Sequence, residues 1–256
     1  MSTTEIIADG PHPAHAGRQH GTYVVPNGWD DARRRLAALE QCLDPATTRR
    51  LEATGVGPGW RCLEVGAGAG SITRWLCQRV GPTGQVVAVD MDTRFLEELD
   101  DQNLEVRRQD VVDEPLPSGG FDLVHTRALL MHLPAREAVL ADLVAAVRPG
   151  GWLVVEEGDF FSIFAAASGV YRAVFESMAR TFAPAGLASD WARHLPALFA
   201  SAGLHDIVAD ADVQFFTGGA SAAAQLMALS LTQVREAMLA GGCPEEDLDH
   251  CLALLE

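Results

Sequence analysis

Apolar and polar positions change rhythm along this chain. Between Tyr23 and Gly59 the residues Trp29, Leu36, Leu39 and Leu43 recur at helical spacing. Asp44-Pro45 places a capping oxygen before a proline at a first helical position, and Gly55 supplies a stop, so two short helices are predicted. From Cys62 onward, apolar runs alternate with helical stretches: Cys62–Val65, Val86–Asp90, Leu104–Arg107, Phe121–His125 and Trp152–Glu156. Unbroken apolar runs suit strands covered on both faces, which predicts a parallel sheet in a doubly wound layout. The crossover helices fall at Ser71–Val80, Asp92–Asp100 and Arg136–Val147, and Pro149-Gly150-Gly151 is a turn before the next strand. Beyond Asp159, Val170–Phe182, Trp191–Ala202, Ala220–Ala240 and Asp247–Leu255 read as helical, and His205–Phe216 as an extended pair of runs.

Composition narrows the function. The 256 residues are 48% hydrophobic and 21% charged, enough to bury a core, with one large domain as the expectation. The balance of 19 Lys+Arg against 35 Asp+Glu gives −16, which repels phosphate backbones and anionic lipid heads. A small-molecule ligand is expected, with no nucleic acid and no membrane partner; a homodimer is left open. Cys42, Cys62, Cys77, Cys243 and Cys251 never fall in a C-x-x-C spacing, which fits reduced thiols in a cytoplasmic protein and no metal site. The first residues lack the charge and apolar run of a secretory signal and read as a loose tail, on which His12, His15 and His20 are solvated. The apolar stretch Phe160–Val170 is too short for a bilayer, which needs about 20 residues.

The most informative stretch is Leu63-Glu64-Val65-Gly66-Ala67-Gly68-Ala69-Gly70-Ser71. Glycines allow a sharp turn after the first strand and a close approach of backbone to ligand, while the next helix opens with free N–H groups. Glu64 stands before the first glycine, where an anion repels a pyrophosphate and attracts an ammonium group. Asp90 ends the next strand, the position from which a carboxylate accepts bonds from ribose hydroxyls. Together they suggest a nucleoside with a cationic tail. Ser71 stands where the dinucleotide fingerprint requires glycine or alanine.

On these residues the chain resembles a class I S-adenosylmethionine-dependent methyltransferase of the small-molecule type. Leu63–Gly70 is similar to the first motif of that family, Val86–Asp92 to its acidic ribose loop and Arg108-Gln109-Asp110-Val111 to its adenine acid. Phe121–His132 with Leu133-Pro134 is similar to the fourth motif, and Arg148-Pro149-Gly150-Gly151-Trp152 to the turn before the fifth strand. The resemblance implies an α/β fold: a doubly wound, Rossmann-like, mostly parallel sheet with an N-terminal helical cap and a helical lid inserted after the fifth strand. The expected divisions are a tail (1–22), the cap (23–59), the cofactor-binding core (60–159), the substrate lid (160–204) and a C-terminal strand with helices (205–256).

The resemblance further implies S-adenosyl-L-methionine as cofactor and S-adenosyl-L-homocysteine as product. Glu64 would hold the methionine amino group, and Gly66, Ala67 and Gly68 would lie against the ligand. Asp90 would take the ribose, Met91 the adenine face, and Asp110 the adenine amino group, with the Val111 N–H donating to a ring nitrogen. The backbone at His125 and Thr126 would line the methionine part.

A sulfonium methyl is already activated, so catalysis rests on alignment and exclusion of water, with a base only where the acceptor must lose a proton. His125 and Asp159, both at strand carboxyl ends, are the candidate catalytic residues; Asp159 reads equally well as a helix cap. His132 is expected to be structural and Arg127 to sit in a buried ion pair. Phe160, Phe161, Phe164, Tyr171, Phe175, Trp191, Arg193, His194 and Phe199 make an aromatic-rich lid, read as core or as an enclosure for a planar acceptor. Methyl transfer to a small organic acceptor at oxygen, in secondary metabolism, is the leading expectation. The alternatives are a nicotinamide-dependent oxidoreductase and a non-methylating S-adenosylmethionine-binding protein. After His205–Phe216 the sequence offers no second strand for the antiparallel pair with which the family's fold finishes.

Overall fold

The computed structural model describes residues 25, 27–117, 120–166, 169–216 and 218–256; the expected tail, with His12, His15 and His20, and the start of the cap at Tyr23 lie outside them. Five strands, β1 (Arg61–Val65), β2 (Gln85–Asp90), β3 (Leu104–Arg108), β4 (Phe121–Arg127) and β5 (Val147–Glu156), form one sheet in the order β3-β2-β1-β4-β5. Every pairing is parallel. The chain winds outward from β1 to β3 and then returns to β4, so the direction reverses between β1 and β4. A crevice opens at the carboxyl ends of strands at such a point.

The central strands read as continuous apolar runs because helices cover both of their faces. Cys62, Val86 and Leu123 meet Leu51 of α1 (Ala32–Ala53) and Ile72, Leu76 and Val80 of α2 (Ser71–Val80). Leu63, Val65, Val87 and Val124 face the other way, onto Val139, Leu140 and Leu143 of α3 (Arg136–Ala146). The Pro149-Gly150-Gly151 turn survives as an irregularity within β5, where the register jumps from Phe121↔Val147 to Leu123↔Trp152.

Four expectations change. The cap is one helix, α1, with Pro45 inside it rather than opening a second helix. Proline removes one helical hydrogen bond, but α1 is clasped along its length by β5 and by α7 (Ala222–Gln233), and Asp44 bonds across to Arg127 instead of capping. The crossover expected at Asp92–Asp100 is a single 3₁₀ turn, Leu96–Glu98, because Phe95 and Leu96 are the residues it buries and one turn suffices. Ala220–Ala240 is two helices, α7 and α8 (Arg235–Ala240), breaking at Val234. Finally, His205–Phe216 forms no strand. Its apolar Val208 and Phe215 are each 85% exposed, and its polar residues tie it to α1 instead, through Arg50 to Asp210 and Gln214 to Cys42.

The helices after β5 do not form an isolated lid. α4 (Phe161–Ala166) and α5 (Gly169–Phe182) share a core with α7, α8 and α9 (Glu245–Leu255), built on Val174, Phe175, Met238, Leu248 and Cys251, while α6 (Leu195–Ser201) packs on the sheet core.

Candidate active site

The glycine loop begins where β1 ends and folds back on β2: the Gly66 and Ala67 N–H groups donate to the Val89 carbonyl at 2.8 and 3.3 Å. Gly66, Gly68 and Gly70 have φ of +75°, +61° and +85°, the left-handed region that favours glycine. Space matters as well as φ. A Cβ on Gly66 would stand 3.3 Å from Leu129, and one on Gly68 3.6 Å from Leu36 of α1. These two leucines bound the space above the loop.

Asp90, at the end of β2, ties that loop to the crevice. One carboxylate oxygen accepts the Gly68 N–H and the other the Asp92 N–H, both at 2.9 Å. Burial raises its pKa above the usual range, opposed by these two N–H groups. Met91 is 52% exposed beside it. Asp110, after β3, is half-buried and turns its carboxylate onto the Val112 N–H at 2.9 Å; Val111 is buried. The structure therefore lines Glu64, the glycine loop, Asp90, Met91, Asp110 and Val111 along one end of the sheet, as the sequence suggests.

Glu64 and His125 are direct partners across β1 and β4. Glu64 is 4% exposed; one carboxylate oxygen accepts the Thr73 hydroxyl, and the other lies 3.6 Å from His125 Nδ1. The other imidazole nitrogen, Nε2, stands 3.4 Å from Glu156, which in turn accepts Arg50 Nη1 at 2.7 Å. Burial alone would strip the proton from His125, but the two glutamates outweigh it and raise its pKa. Glu156 is held down to about 2, against its own burial, by the imidazole and Arg50. His125 is 0% exposed. The expectation of a catalytic base finds no open face here: both ring nitrogens point at carboxylates, with Nδ1 beyond hydrogen-bond distance of Glu64, and the ring is fully buried.

Asp159 is also engaged. It pairs with Arg193 at 2.7 Å and accepts the Phe161 N–H at 2.7 Å, capping α4; burial opposes but Arg193 and that N–H lower its pKa. This geometry accords with the helix-cap reading of Asp159 rather than with a carboxylate free to orient an acceptor. His132 is pushed down to about 4 by burial and by Arg35 and Arg136, a neutral structural ring. Arg127 bonds Asp44 at 2.9 Å and Thr47 at 2.8 Å, an inward ion pair. The Thr126 hydroxyl is buried without a hydrogen-bond partner among the described residues.

Three residues of this region escape sequence reasoning. Arg50 and Glu156 meet from 106 positions apart. Glu157 accepts the N–H groups of Leu129, Leu130 and Met131 at 3.2, 2.8 and 3.2 Å, so it holds the loop after β4. Burial pushes its carboxyl up to about 7, against those three N–H groups. The only available signal was the acidic pair itself, closing an apolar strand. A separate cavity of about 680 Å³ lies at the opposite, amino ends of β2 and β3, lined by Gln78, Gln85, Asn103 and Glu105, and holds none of this chemistry.

Residues 63–155 match the family described as "Methyltransferase domain". This stretch is similar to a methyltransferase domain. The chain is 33% identical over 133 residues to "Methyltransferase str3" of Strobilurus tenacellus, covering 51% of this chain and 47% of that protein. It is 32% identical over 115 residues to the ubiquinone/menaquinone biosynthesis C-methyltransferase UbiE of Ectopseudomonas mendocina (strain ymp), covering 42% and 45%. The chain spans about half the length of these curated relatives. Among solved structures, a methyltransferase in complex with the Haloferax volcanii Trm112 activator superposes with a TM-score of 0.58 at 16% identity, over 87% of this chain and 93% of that one. Haemonchus contortus phosphoethanolamine N-methyltransferase 2 superposes with 0.50 at 18% identity, over 86% and 47%. The chain thus has a Rossmann-like fold, and among the described residues no helix is long and apolar enough to cross a membrane.

Proposed function

We propose that this chain binds S-adenosyl-L-methionine at the carboxyl ends of β1, β2 and β3 and transfers its methyl group to a small organic acceptor, at oxygen. The observation that carries the reading is the pair of carboxylates, Glu64 and Asp90, flanking a glycine loop whose positive-φ residues turn the backbone sharply between β1 and α2. Glu64 suits an ammonium group, Asp90 a ribose, and the exposed Met91 an adenine face. Asp110 and the Val111 N–H would hold the adenine edge. When bound, the cofactor supplies an activated sulfonium methyl.

The chain's own task is then to hold the acceptor in line and keep water out, for which proximity alone is worth about 7–11 kcal/mol in favourable cases. His125 and Asp159 are already engaged, so an oxygen acceptor would bind already ionised, as a phenolate or enolate that has left its proton to solvent. An ionised oxygen fits this arrangement, and the partly buried aromatic residues beside the helical core, Phe160, Phe164 and Tyr171, suit a planar natural-product acceptor. A carbon acceptor is the second reading, favoured by the similarity to a C-methyltransferase. Calorimetric titration with S-adenosylhomocysteine and NAD tests the site: binding of the first and not the second is expected, and the reverse restores the oxidoreductase reading. A labelled-methyl assay over phenols, enols, amines and activated carbon acids then decides the atom; label retained on no acceptor favours a non-methylating binder.

A further inference from the structure

The buried residues behind the proposed cofactor site form a line of alternating charge. From solvent inward, Arg50 on α1 meets Asp210 at 2.8 Å and Glu156 at 2.7 Å; Glu156 faces one nitrogen of His125 at 3.4 Å; the other nitrogen faces Glu64 at 3.6 Å; and Glu64 accepts the Thr73 hydroxyl. Glu64, His125 and Glu156 stand at the carboxyl ends of β1, β4 and β5 and on one face of the sheet. One step back on that face the positions are Cys62, Leu123 and Val154, all apolar.

A scaffold does not need this arrangement. Replacing buried ion pairs by apolar residues of similar volume is often neutral or stabilising, so stability alone gives no reason for three ionisable groups in a row. Their position gives one, since the row ends on the acid beside the glycine loop and perturbed groups gather at functional sites. A lone buried carboxylate tends to neutralise itself. Here His125 stands between Glu64 and Glu156, the two carboxylates favour its protonated form, and Arg50 keeps Glu156 from being an unpaired buried anion. The Thr73 hydroxyl bonds one oxygen of Glu64 and His125 Nδ1 faces the other at 3.6 Å, which orients the carboxylate and leaves lone pairs for a ligand.

We propose that Arg50, Glu156 and His125 are positioning residues that hold the Glu64 carboxylate for the cofactor's amino-acid tail. The proposal rests on the reading of Glu64 given above. Calorimetry on the full chain separates the two, using S-adenosylhomocysteine and 5′-methylthioadenosine, which shares the thioadenosine but lacks the tail. Wild type is expected to bind the first more tightly. Glu156→Gln and Arg50→Gln should each weaken S-adenosylhomocysteine by about tenfold while leaving methylthioadenosine within about twofold, and Arg50→Lys should recover most of the loss. Equal losses for both ligands would show mere structural support and overturn the proposal, as would unchanged S-adenosylhomocysteine affinity. Wild type binding neither ligand would instead remove the cofactor site itself. Thermal melts establish that the variants fold; if Glu156→Gln does not, Arg50→Gln, at the more exposed end of the row, decides.

Discussion

Replacing Asp90 with asparagine changes one oxygen to an amide nitrogen and almost nothing in volume. In the native chain each carboxylate oxygen accepts one backbone N–H at 2.9 Å, from Gly68 and from Asp92. Asparagine can satisfy only one, and its NH₂ then faces a donor, which costs about 1–3 kcal/mol of stability. A ligand ribose loses more than geometry, because hydrogen bonds to a charged acceptor are worth about 1.5–3 kcal/mol. At 1.4 kcal/mol per decade that weakens S-adenosylhomocysteine by about 10- to 150-fold. The pH profile adds a second readout. Burial lifts the Asp90 pKa, so acidification should weaken wild-type binding at a higher pH than an ordinary aspartate would, and the asparagine variant should lack that component. Calorimetry across pH with a parallel melt checks both. A folded variant with Kd within about twofold of wild type would refute the placement of Asp90 on the ribose.

Glu157 sets a pH dependence of stability. Its carboxyl sits at about 7 when folded and near 4.5 when unfolded, so the folded chain retains a proton that the unfolded chain releases. Its contribution is complete below the unfolded value and is lost as pH climbs toward about 7, by up to about 3 kcal/mol. Urea unfolding across that range should show a decline in wild type that Glu157→Gln lacks; parallel curves would contradict it. Asp159→Asn should leave methyl transfer within a few fold, since Arg193 and the α4 cap already hold the carboxylate. A fall of about a hundredfold or more would give Asp159 a catalytic part in orienting the acceptor.

The parallel sheet was legible because the reason for it is local: strands covered on both faces are apolar throughout, and Val86–Val89 show it at every position. The glycine loop was legible for a similar reason, since a positive φ and a close approach demand glycine at the residue itself. The roles open to Glu64 and Asp90 followed from their place at strand ends. Neighbours decided the rest. Whether a period of apolar residues becomes a helix or one turn depends on how much surface awaits it, as Phe95 and Leu96 show; an extended run such as His205–Phe216 becomes a strand only where an edge accepts it. The character of His125 was beyond any local pattern. An imidazole at a strand end reads as a base until the glutamates on either side are known, and Arg50, which steadies one of them, arrives from a helix 106 residues away, because charge acts through space and not along the chain.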